Sequence, residues 1–195
     1  MIDKVKSTVS FLKEKGYEKP ELGIILGTGL GALTNHIEVF HEIPYDEIPN
    51  FPIATVEFHK GKLLYGKIEG KTIIAMSGRF HYYEGYSMEE VVFPVRVMQQ
   101  LGIKRLLISN AAGNMNLNWK KGELMLIDDH INLQPDNPLR GKAAGAFGPI
   151  FTDMSQPYDP SMNEVMEKVS AANNIPLNKG IYVAVSGPNL ETRAE

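Results

Sequence analysis

The chain has 195 residues, 43% hydrophobic and 22% charged, with 18 Gly, 12 Pro and no Cys. These proportions exclude a disordered chain, a collagen-like repeat and a disulfide scaffold, and the length suits one substantial core, so a single domain over residues 1–195 is expected. Twenty Lys and Arg against 23 Asp and Glu give a net charge of -3. With no basic stripe, a nucleic-acid partner is not expected, whereas an anionic small molecule is. No window is apolar over the length a bilayer requires, the N-terminus lacks a signal-peptide pattern, and no cysteine is present, so the chain reads as cytoplasmic.

Ile2, Val5, Val9 and Leu12 recur at helical spacing, and Gly16 follows where a helix can stop in a left-handed turn. Residues 22–26 (LGIIL) form a short apolar run between Pro20 and a glycine cluster, as expected of a strand buried on both faces. The cluster GTGLG at 27–31 then leads towards a predicted helix. Residues 44–52 hold three prolines and read as loop. Residues 62–68 and 71–76 are β-rich runs separated by Glu69-Gly70, a predicted hairpin. Ser87 and Glu90 form a capping box ahead of Val91, Val95 and Met98, and Gly102 ends that helix. Residues 105–109 are a second buried-strand candidate, and 124–127 and 180–185 are further strands. Asp159-Pro160 opens a helix carrying Met162, Val165, Met166 and Val169. The alternation predicts an α/β fold with helices flanking a central mixed, largely parallel β-sheet.

Four stretches carry chemistry. Glycines at 27–31 free backbone N–H groups to face a negative charge, with the Thr28 hydroxyl beside them; a tight structural turn fits the pattern equally well. Arg79 and His81, two residues apart, project the same way from an extended backbone and can clamp a phosphate, although an Arg-x-His pair is also at home in a solvated loop. Tyr82, Tyr83 and Tyr86 beside Glu84 supply stacking faces and polar tips suited to a flat hydroxylated ligand. Ala111, Ala112 and Gly113 follow a strand, where open α/β sheets place ligands, and Glu191 in GPNLET follows another. Glu191 can accept hydrogen bonds from a ring N–H and an exocyclic amine, or simply favour a helix start. Asp128-Asp129-His130 lacks a second ligand group at metal spacing, so no metal is expected, and the Met residues and Trp119 read as packing.

Taken together, GTGLG at 27–31, NFP at 50–52, His59, GRFHYYEGY at 78–86, SNAAG at 109–113, DHINL at 129–133, NPLRG at 137–141 and GPNLET at 187–192 resemble the trimeric purine nucleoside phosphorylase family. That family also contains methylthioadenosine phosphorylase. The resemblance implies the nucleoside phosphorylase fold and phosphorolysis of inosine and guanosine to free base and ribose 1-phosphate in purine salvage, with phosphate as co-substrate and no cofactor. It implies that Thr28, His59, Arg79, His81 and the Ala111 N–H bind phosphate, that Tyr83 holds a ribose hydroxyl, and that Glu191 meets the N1–H edge of the purine. His81 and Glu191 are the implied catalytic residues. Tyr182 and Leu190 would line the base pocket with Ala111, Ala112 and Gly113, and Phe147 would reach a neighbouring subunit of a homotrimer.

Thr28 stands where many relatives have Ser, and Leu190 where some have Phe. The family pattern also continues beyond Glu195, with a Met-Ser-Thr stretch, an Asn or Asp beside purine N7, and a His near the 5′-hydroxyl. The fold is therefore expected to be truncated at its C-terminus. Two alternatives follow: a methylthioadenosine phosphorylase, or a non-catalytic phosphate- or nucleoside-binding fragment.

Overall fold

A computed structural model describes residues 1–27, 29–52, 61–141 and 144–194. The chain divides into two compact units, Met1–Ala111 with Pro138–Gly148, and Ala112–Asn137 with Pro149–Glu195.

The first unit is built on a five-stranded sheet in the order β2-β3-β4-β1-β5. Its strands are β1 (Leu22–Ile25), β2 (Glu38–Pro44), β3 (Lys62–Ile68), β4 (Lys71–Ser77) and β5 (Arg105–Ile108). β1 runs parallel to both β4 and β5, whereas β3 pairs antiparallel with β2 and β4. The β3–β4 hairpin turns through Glu69 and Gly70, both with positive φ (46° and 75°), the backbone of a tight two-residue turn.

Side-chain alternation covers both faces of this sheet. Ile25, Leu63, Tyr65, Ile74 and Met76 face α1 (Ile2–Glu14) and α3 (Phe93–Leu101), burying Val5, Val9, Leu12, Val97, Met98 and Leu101 with them. On the other face Ile24, Leu26, Leu64, Ile73 and Ala75 pack with Ile37. The apolar run of β1 is thus explained by burial on both sides. At the end of α1, Gly16 adopts φ +89°, and a Cβ there would lie 2.5 Å from His41 Nε2.

Several elements depart from the sequence reading. Residues 31–36 form a 3-10 turn rather than an α-helix, with no side-chain cap at Leu30, so the glycine cluster does not open onto an α-helix N-terminus. β2 was not legible, because its residues are mostly exposed on the sheet edge and show no clean alternation. The helix after Ser87 splits into α2 (Met88–Val91) and α3, with Pro94 in the first turn of α3. β5 was expected to be buried. It is the other edge of the sheet among the described residues, with Leu107 and Ile108 exposed (36% and 59%).

In the second unit, β6 (Leu124–Asn132) and β7 (Leu177–Ala184) pair in parallel, both longer than the apolar pattern indicated. α4 (Pro160–Ala172) begins at Asp159, whose carboxylate accepts from the Ser161 and Met162 N–H groups at 2.9 and 3.3 Å. Across both units, three strand pairings among the described residues are parallel and two antiparallel. No helix among the described residues is long and apolar enough to cross a membrane.

The Ser87 cap gives a test. Glu90 Oε2 accepts from the Ser87 N–H and hydroxyl at 2.8 and 2.7 Å, which holds its carboxyl below the usual carboxylate range. Stability from this contact is present above the unfolded carboxylate pKa of about 4.3 and lost as pH falls through the lower folded value. Ser87→Ala is expected to cost about 1 kcal/mol near neutrality, with a smaller difference near pH ~3. Thermal unfolding of both proteins at the two pH values checks this; an equal difference at both would exclude the Glu90 contribution.

Candidate active site

Because β4, β1 and β5 are parallel and in register (Met76, Ile25 and Ile108 side by side), their C-terminal ends lie at one edge of the sheet. The three segments leaving that edge are Gly78-Arg79-Phe80-His81, the glycine cluster from Gly27, and Ser109-Asn110-Ala111.

Phe80 is 4% exposed and is held in a nest of aromatic rings, 5.1 Å from Tyr45, 5.9 Å from Tyr86 and 6.4 Å from Phe51, centroid to centroid. The backbone at His81 is extended (φ -124°, ψ 148°), so Arg79 and His81 point away from that nest on the same side, as the two-residue spacing predicts. The Tyr45 hydroxyl donates to the Gly78 carbonyl at 2.7 Å, fixing the start of the segment, and burial pushes that hydroxyl's pKa well above its ordinary value.

Arg79 and His81 touch each other. Arg79 Nε donates to His81 Nε2 at 3.0 Å, and Arg79 Nη1 donates to the Ser109 carbonyl at 2.6 Å. A guanidinium has no acceptor, so His81 Nε2 must accept and the ring proton sits on Nδ1. That proton meets Glu84 Oε1 at 2.5 Å, and the same oxygen accepts the His81 backbone N–H at 2.9 Å. The Glu84 side chain is only 5% exposed. Tyr83, half exposed, stacks on the His81 ring with centroids 4.8 Å apart and planes 14° apart. An Arg–His–Glu chain, closed on one side by a tyrosine, results.

Glu84 was noted in the sequence only as a neighbour of the tyrosines. The signal that marks it is H-x-x-E, the spacing of a capping box with His in place of Ser, and the Glu84 carboxylate accepts the His81 backbone N–H as that box requires. Ser109 stands within the SNAAG motif, but nothing in its own strand singles it out from its neighbours.

The remaining candidates fall elsewhere. Thr28 and His59 lie outside the described residues. Ala111 ends the first unit and is exposed. Phe147, also in the first unit, is partly buried, 4.6 Å beneath the Arg96 guanidinium, which donates to the Pro138 carbonyl at 3.0 Å. In the second unit, Ala112, Gly113, Leu190 and Glu191 are exposed, and Tyr182 is half-buried on β7 opposite His130 of β6. His130 Nδ1 meets the Tyr158 hydroxyl at 3.0 Å. Burial, with Asp129 and Tyr182 nearby, raises the Tyr158 pKa. No group of three or more His, Cys, Asp or Glu suited to a metal ion occurs among the described residues.

Residues 21–195 match the family model of the phosphorylase superfamily. The chain is 49% identical to purine nucleoside phosphorylase 1 of Bacillus subtilis over 195 residues, covering all of this chain and 72% of that protein. Among solved structures, Schistosoma mansoni purine nucleoside phosphorylase in complex with adenosine superposes with a TM-score of 0.93 at 40% identity, covering 100% of this chain and 70% of that one. A purine nucleoside phosphorylase in complex with ribose 1-phosphate superposes with a TM-score of 0.94 at 40% identity, covering 100% and 73%. The chain belongs to the phosphorylase superfamily and, within it, to the purine nucleoside phosphorylases.

Proposed function

We propose that this protein catalyses phosphorolysis of purine ribonucleosides, inosine and guanosine first among them, in purine salvage. A phosphate oxygen forms a bond to the anomeric carbon while the bond from that carbon to purine N9 breaks. The electron pair leaves with the base, which takes up a proton, and ribose 1-phosphate remains. The observation that carries the reading is the Arg79–His81–Glu84 chain at the C-terminal sheet edge, beside the glycine cluster, in a member of this family.

Arg79 brings a permanent cation whose N–H groups beyond the two engaged by His81 and Ser109 serve an anion. Glu84 keeps His81 in one tautomer and one orientation, with Nε2 accepting the Arg79 Nε–H, so the ring orients the guanidinium; a direct His81 contact with phosphate requires that bond to be exchanged for one in which Nε2 carries a proton. Held under the sugar, the phosphate dianion is both nucleophile and counter-charge to a ribose that becomes cation-like. Thr28, His59 and the Ala111 N–H complete the proposed phosphate set. Tyr83, fixed by its stack on His81, is assigned a ribose hydroxyl. Ala112, Gly113, Tyr182, Leu190 and Glu191 are assigned to the base, and Phe147 to a neighbouring subunit of a homotrimer. Residues 1–195 act in this reading as one cytoplasmic phosphorylase domain, with phosphate as co-substrate and no cofactor.

Inosine turnover with and without phosphate tests the proposal: hypoxanthine release should depend on phosphate. Turnover of methylthioadenosine alone would assign the chain to that branch, and phosphate binding without turnover would make it a binding protein. Arg79→Ala is expected to raise the phosphate KM about tenfold or more, as for a lost charge-assisted contact; an unchanged KM removes Arg79 from the site. Glu84→Ala should raise the phosphate KM by about tenfold and Glu84→Gln by less, because glutamine keeps the acceptor oxygen. Glu191→Ala should slow inosine and guanosine more than a nucleoside lacking the N1–H, and equal losses would take Glu191 out of base recognition.

A further inference from the structure

We propose that Ser109 is a positioning residue for the phosphate site, locking the start of the glycine cluster and the Arg79 guanidinium to the same point on the sheet edge. The inference rests on the reading of Arg79 as a phosphate-binding residue.

Three polar groups of Ser109 tie two segments, the N–H and hydroxyl the stretch from Ile25 to Gly27 and the carbonyl Arg79. Its N–H donates to the Ile25 carbonyl at 3.1 Å, extending the β1–β5 pairing by one step beyond Ile108. Its hydroxyl accepts the Gly27 N–H at 3.0 Å and donates to the same Ile25 carbonyl at 3.3 Å. Its carbonyl accepts Arg79 Nη1 at 2.6 Å. The contact is close enough to dictate the residue opposite: a Cβ on Gly27 would lie 2.5 Å from the Ser109 carbonyl oxygen and 2.9 Å from the Asn110 Cα. Glycine at 27 therefore answers to this approach as well as to the turn that follows it.

The hydroxyl has one proton and its lone pairs, and both roles are used, the proton for Ile25 and a lone pair for Gly27. Removing it leaves the Gly27 N–H without that acceptor at the point where the chain leaves β1 for residues 28–31. The carbonyl that holds Arg79 stays, but the loop it registers against is no longer fixed to it. Anion binding by N–H groups and a guanidinium depends on their mutual geometry, because donors that must be ordered on binding lose part of their interaction energy. Loss of the hydroxyl should thus weaken phosphate binding without changing any group that touches phosphate. Threonine keeps the hydroxyl and should preserve the lock.

The test is calorimetric titration of inorganic phosphate into the full chain, wild type and the variants Ser109→Ala, Ser109→Thr and Arg79→Ala, with the melting temperature of each. Ser109→Ala should raise the phosphate Kd about fivefold, the scale of one neutral hydrogen bond, and Ser109→Thr should stay within about twofold of wild type. Should Ser109→Ala not fold, Ser109→Cys reads the same quantity, since a thiol is a weak acceptor of similar size. A phosphate Kd unchanged in Ser109→Ala, with Arg79→Ala weakened tenfold or more, overturns the role of Ser109 and leaves the phosphate site standing. A lowered melting temperature with unchanged Kd also overturns it, as a purely structural role. A wild-type chain that binds no phosphate, or an Arg79→Ala variant that binds it normally, overturns the reading beneath.

Discussion

The parallel register of β4, β1 and β5 is the constraint on which the rest of the site depends. Ile25 pairs with Met76 on one side and Ile108 on the other, so three strands finish side by side at one edge. Parallel strands must return through long connections, and the segments that leave their C-terminal ends are free to carry chemistry. Here those segments bring a glycine cluster, an arginine–histidine pair and the Ser109 backbone to one edge, although they are separated by up to 82 residues in sequence. Antiparallel pairing of β1 with either neighbour would send one of them to the opposite edge.

Packing beneath the edge converts this proximity into geometry. Phe80 alternates with Arg79 and His81, and its burial among Tyr45, Phe51 and Tyr86 orients both polar side chains outwards. A buried aromatic ring of this size is among the strongest local anchors available to a chain. The Tyr45 hydroxyl on the Gly78 carbonyl fixes the turn from which the segment starts. Glu84 then sets the histidine tautomer from behind, through a side chain that is itself nearly buried. The donors and acceptors are therefore ordered by the apolar core before any ligand arrives.

Much of this was legible in the letters. The two-residue spacing of Arg79 and His81 announced a common direction because the backbone there is extended, and the Ser87–Glu90 box announced a helix start that forms with both reciprocal bonds. Glu69-Gly70 specified its hairpin turn through positive φ at both positions. The errors have a common origin in missing local signal. β2 is an exposed edge with no alternating pattern, the residues after the glycine cluster form a 3-10 turn without a cap, and β5 reads as buried although it lies at a sheet edge. Local periodicity reports the apolar content of a segment, and its position in the sheet decides what that content meets.

The sequence by itself determined most of the element types, the family and most of the residues assigned to phosphate and base, because glycine freedom, apolar alternation and short polar motifs are local properties carried by neighbouring letters. Only the tertiary structure decided that Arg79 donates to His81 rather than standing apart from it, that Glu84 holds the histidine proton on Nδ1, and that Ser109 lies within 3.0 Å of Gly27. Gly27 and Ser109 are 82 residues apart, and no pattern within either segment encodes the other. Their contact follows from strand order, which is chosen by the burial of both sheet faces over the whole unit and not by any one stretch of chain.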